Sequence, residues 1–99
     1  MNQTLNKDEE MINLIHIAQK GHYPLFQQNW IEELDIKNKL SNEEIKTANA
    51  ITARLKKHKN IERKKIILFS LSKKDRDLFI NAFINTVEKQ ILNNRPKIQ

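Results

Sequence analysis

One glycine and two prolines in 99 residues leave this chain with almost nothing from which to make tight turns. Gly21, Pro24 and Pro96 are those three residues. A sandwich or barrel reverses direction every few residues and leans on Gly and Pro, the strongest turn formers, to do so. Scarcity of turn formers therefore points to an all-α chain. A chain of this length makes one domain, here expected over 1–99 with frayed ends at about 1–5 and 94–99. It can bury roughly two thirds of its unfolded surface, enough for one modest core without staples. With no cysteine, disulfides, thiolate zinc sites and cysteine nucleophiles are excluded.

Periodicity predicts a small orthogonal bundle of four to five short helices, at about 7–20, 24–35, 42–58, 61–70 and 73–92. The first begins at Asn6 with Glu9 as capping-box partner, carries Met11, Ile12, Leu14, Ile15 and Ala18 on one face, and stops at Gly21. The second opens at Pro24, suited to a first helical position, and takes its apolar contacts from Leu25, Phe26, Trp30 and Leu34. Ser41 and Glu44 form a capping box for the third, whose stripe is Ile45, Ala48, Ile51, Thr52 and Leu55. Ser72 caps the last, with Asp75 in the box position and Phe79, Ile80, Phe83, Ile84, Val87 and Ile91 as its stripe; Leu78 and, on the first helix, Ile17 fall outside the main stripes. Ile66-Ile67-Leu68-Phe69 is apolar on every helical face, so its period does not separate a buried helix from a strand. A strand at 65–71 has no partner within the chain and would pair across a dimer. A short buried helix is the preferred reading.

The net charge of +6 is unevenly spread. Residues 1–45 hold four lysines against eight acids, a net −4, and residues 46–99 hold fourteen Lys and Arg against four acids, a net +10. The candidate site for an anionic partner is a basic patch of Lys46, Arg54, Lys56, Lys57, Lys59, Arg63, Lys64 and Lys65. Lys46, Arg54 and Lys57 fall opposite the stripe of the third helix, with the small Ala50 and Ala53 between them. Cations at a helix C-terminus also complement its negative end and need no ligand to account for them. Should the patch hold nucleic acid, five or six phosphate contacts give a log-log salt slope of about −5 with little sequence preference. No aromatic lies between Trp30 and Phe69 to stack on bases, so the patch suits phosphate better.

Other chemistries lack their residues. A chain with one glycine cannot build a phosphate-cradling loop. His16, His22 and His58 have no metal-ligand spacing; His16 reads as a half-buried packing residue, His22 as a capping residue after Gly21, and His58 as part of the patch. Glu9-Glu10, Glu32-Glu33, Glu43-Glu44 and Asp75/Asp77 are adjacent or near-adjacent acids that point apart on a helix, and Ser41 and Ser72 are occupied as caps. A helix-turn-helix around Gly21 fails on spacing, and the following helix is acidic. The expected protein is no enzyme and takes no cofactor, metal or small-molecule substrate. It reads as an adaptor-like interaction or regulatory domain with a protein partner, itself included as a homodimer, that uses an apolar groove between helices and charge steering. Tyr23, Phe26 and Trp30 are the candidate interface aromatics, against a core role for the Trp. A nucleic-acid-binding accessory protein, taking DNA or RNA on the basic patch, is the alternative. The first ten residues lack a signal-peptide pattern and no apolar run reaches the roughly 20 residues of a membrane span, so a cytoplasmic location is expected.

Overall fold

A computed structural model of the chain describes residues 9–94. Within them five helices follow one another: α1 (Glu9–Ala18), α2 (Gln28–Glu32), α3 (Asn42–Lys56), α4 (Ile61–Ser70) and α5 (Lys73–Asn94). The chain is a small all-α bundle, with no strand among the described residues. Residues 61–70 are helical, so the strand alternative for 65–71 is set aside. The Asn6 cap and the expected frayed ends at about 1–5 and 94–99 lie outside the described residues, except for Asn94, which is the last residue of α5.

Helix α5 is the axis of the fold, and α3 and α1 each pack mainly on it rather than on one another. Five consecutive α5 residues are buried, Asp77 to Asn81. A run longer than one helical turn can be buried only where neighbours surround the helix. That corrects the placing of Leu78 outside the stripe: at 5% exposure it belongs inside. Phe79 and Phe83 meet Phe26 edge-on, with centroids 6.1 and 5.2 Å away, and Met11, Leu14, Ile51, Leu55 and Leu68 complete the same core.

The second helix is the largest departure from expectation. Only residues 28–32 of the expected 24–35 are helical. Pro24 starts a turn instead, in which Phe26 N–H donates to the Tyr23 carbonyl, and this turn drives both Leu25 and Phe26 into the core. Past Glu33 the chain is held extended by α5. The Asn81 side-chain amide donates to the Asp35 carbonyl at 2.8 Å, and its oxygen accepts from Lys37 N–H at 2.9 Å. Asn81, 3% exposed, thereby pairs with linker backbone that would otherwise continue the helix.

The helix ends show how the chain manages with one glycine. Helix α1 closes with a Schellman motif: His22 N–H donates to the Ile17 carbonyl, Gly21 N–H to Ala18, and Gly21 has φ +89°. The next two junctions use cations. Asn60 caps α4 by accepting from Glu62 N–H, and four residues on Lys64 reaches back so that its ammonium donates to the Leu55 carbonyl at 3.2 Å and to the His58 carbonyl. Ser72 accepts from Asp75 N–H, and four residues on Arg76 donates to the Leu68 and Leu71 carbonyls, each at 3.2 Å. In both cases the accepting carbonyls are three residues apart at the end of the preceding helix, at its negative pole, and the first also accepts the N–H of the second residue, Leu55 from His58 at 3.0 Å and Leu68 from Leu71 at 3.3 Å. The Arg76 guanidinium also lies over the Trp30 ring, 4.7 Å from its centroid.

Candidate interaction groove and basic shoulder

Because α1 and α3 both pack on α5, a gap opens between them. It forms an open groove of about 450 Å³. The floor is Phe79, Ala82, Phe83 and Thr86 of α5; one wall is Met11, Ile12 and Ile15 of α1; the other is Asn49, Thr52 and Lys56 of α3. The two threonines that line it each donate to a carbonyl of their own helix, Thr52 to Ala48 at 2.9 Å and Thr86 to Ala82 at 3.0 Å, so neither hydroxyl proton asks an occupant for a partner. The polar side chains on offer to an occupant are Asn49 and Lys56 of the α3 wall. Ile12, 48% exposed, stands open on the α1 wall.

The sequence-predicted basic patch divides. Lys46, Arg54, Lys56, Lys57, Lys59 and Arg63 are exposed and Lys65 is half-buried. None of these seven forms an ion pair among the described residues. Ala50 and Ala53 are exposed beside them, leaving a smooth outer face on α3. Lys64 is the correction: it is fully buried, occupied at the end of α3, and cannot meet an outside anion. The predicted interface aromatics are corrected as well. Phe26 and Trp30 are 7% and 5% exposed within the core, and the half-buried Tyr23 stacks on Phe26 at 6.1 Å. His16, expected to be half-buried, is exposed.

A second cleft, of about 360 Å³, lies where the 35–37 linker crosses α5. Its charges serve each other: Lys73 Nζ sits 2.7 Å from Asp77, which holds that ammonium above the usual lysine range, and Lys37 pairs with Glu44 at the head of α3. Of the two clefts, the groove between α1, α3 and α5 is the larger and the more apolar. Among the described residues no group of three His, Asp or Glu could hold a metal ion, and no helix is long and apolar enough to cross a membrane.

Sequence reasoning named only Lys56 of the ten groove residues as a candidate site residue, because the floor is read as core until a neighbour is missing. Asn49, Thr52 and Lys56 do share one face of α3 by spacing. What the spacing does not reveal is that α1 fails to cover them. No protein-family model, curated protein or solved structure matches the chain. The fold and the groove place it, by architecture, among small helical bundles that leave one interhelical groove open.

Proposed function

We propose that the protein is a non-catalytic interaction domain that takes an acidic amphipathic helix of a protein partner into the groove between α1, α3 and α5. The observation that carries this reading is a largely apolar groove with Lys56 on its rim, on a helix whose outer face carries the exposed Arg54 and Lys57. Apolar anchors at i, i+3 or i+4, and i+7 of the partner fill the floor, and its acids meet the rim. The cations speed encounter and select a partner of opposite sign more than they add affinity. Nucleic acid is the second reading, favoured by the seven shoulder cations that form no ion pair among the described residues.

The test is fluorescence anisotropy at two salt concentrations. The probes are a labelled helical peptide with that anchor spacing and Glu on its flanks, the same peptide with Lys in place of Glu, a DNA duplex and a single strand. The expected result is saturable binding of the acidic peptide, weakened by Lys56→Glu and abolished by Ala82→Trp, which fills the floor. Equal binding of both peptides, or no loss on filling the groove, would overturn it. Tight oligonucleotide binding with a steep salt slope, lost in a Lys57/Arg63→Ala variant, would install the second reading.

A further inference from the structure

Helix α4 is built inside out. Its inward stripe is Ile61, Lys64, Leu68 and Leu71, with a lysine at the centre, while Ile66 and Phe69 stand 65% and 54% exposed on the opposite side. Three residues advance a helix by 300°, so Arg63, Ile66 and Phe69 form one row, stepping back about 60° at a time across the outer surface. The row runs from a cation through an aliphatic to an aromatic residue. Beyond Phe69 comes α2, because the Phe69 and Trp30 rings meet edge-on at 5.1 Å. Trp30 points inward, so its helical neighbours Ile31 and Glu32 lie outward, and both are exposed. Among the described residues the hydrogen bond to the Glu32 carboxylate comes from the neutral Gln28 amide, at 2.8 Å, which does not cancel its charge.

From one edge to the other this surface reads Arg63, with the exposed Glu62 beside it and the exposed Lys59 just ahead of it in the chain, then Ile66, Phe69, Ile31 and Glu32, so the first flank carries a net positive charge. A patch that is positive on one flank, apolar in the middle and negative on the other is complementary to itself. A two-fold axis lying across it sets the cationic flank of one copy on the acidic flank of the other and stacks the two apolar centres. We infer that the outer face of α4, with α2 beside it, is the contact surface of a homodimer of this chain. The shared occupant is a second copy rather than a foreign partner, since one surface supplies both charges that the contact needs. This face lies apart from the α1–α3–α5 groove, so the inference stands whether or not the groove takes a peptide.

The contact is small and is therefore weak and concentration-dependent. Sedimentation velocity over a dilution series measures it, with amide chemical shifts on the same series to locate it. The wild type is expected to move from dimer to monomer on dilution, with shift changes confined to residues 31–33 and 62–70. Ile66→Glu is expected to raise the dissociation constant at least about tenfold. Glu32→Lys and Arg63→Glu should each weaken the dimer, and the two together should restore it, because the swap exchanges the flanks. All three positions are exposed, and unchanged circular dichroism shows that the fold is kept. A monomer at every concentration would overturn the inference. So would a dimer that ignores Ile66→Glu, or a charge swap that fails to restore what its single changes remove.

Discussion

Helix α3 keeps its cations outside and buries Ala48, Ile51 and Leu55, with Ile45 of the expected stripe exposed in its first turn; helix α4 places a lysine inside and leaves an isoleucine and a phenylalanine in solvent. The residue types are much the same, and the difference comes from what each helix lies against. Helix α3 packs along α5, whose apolar floor takes Ile51 and Leu55. Helix α4 starts beside the C-terminal end of α3, where the Leu55 and His58 carbonyls accept from the Lys64 ammonium, Leu55 in addition to taking His58 N–H at 3.0 Å. These hydrogen bonds offset the cost of burying the ammonium, and the stem is itself apolar. Charge at a helix junction is thus of two kinds, one committed to backbone and one offered to a partner.

That division is broken most sharply at Lys64. Lys64→Met keeps most of the volume and removes the ammonium from two buried carbonyls, so it should lower unfolding stability by about 2–4 kcal/mol. Denaturant unfolding followed by Trp30 fluorescence measures it, and a loss below about 0.5 kcal/mol, the range of surface changes, would place Lys64 with the surface cations. Arg76→Met removes the equivalent donor at the next junction and the contact over Trp30. Arg76 is half-exposed, and water can reach its carbonyls, so the expected loss is smaller, about 1–2 kcal/mol by the same measurement.

Changes at the outer cations sharpen the comparison from the other side. Arg54→Ala and Lys57→Ala should each leave stability within about 0.5 kcal/mol, because neither holds a backbone group. The smallest effect is at the opposite end of α3. Lys37 donates to Glu44, whose carboxylate also accepts from Ser41 N–H, and together they hold it below the usual carboxylate range. A carboxyl with a lowered folded pKa contributes stability that is complete above its ordinary pKa and is lost as pH falls through the lowered one. A carbon-detected titration of Glu44 should show the lowered midpoint, and Lys37→Ala should move it back toward the ordinary value.

Much of this architecture was legible in the sequence, and the misses share a physical reason. Ser41 with Glu44, Ser72 with Asp75 and Gly21 mark helix ends through local hydrogen bonds, which neighbouring residues decide among themselves. The short α2 was not legible, because Asn81, more than forty residues away, competes for the linker backbone at Asp35 and Lys37. Lys64 sits on the Ile61/Leu68 stripe, and a charged residue on an apolar stripe, four positions after an Asn cap, is a signal that composition-based counting of a basic patch overlooks. Arg76 repeats it four positions after Ser72. The groove was expected in kind but not in place, since periodicity tells which face is apolar and not which neighbour is absent.

The account stands or falls on the groove as the receptor, with the exposed cations as its guide. Amide chemical-shift titration with the acidic helical peptide tests this residue by residue. The account predicts saturable shifts centred on Ile12, Ile15, Asn49, Thr52, Lys56, Ala82 and Thr86, with Lys64 and its carbonyl partners unmoved. Shifts that scatter over every exposed lysine without saturating, or that leave the groove residues still, would contradict it.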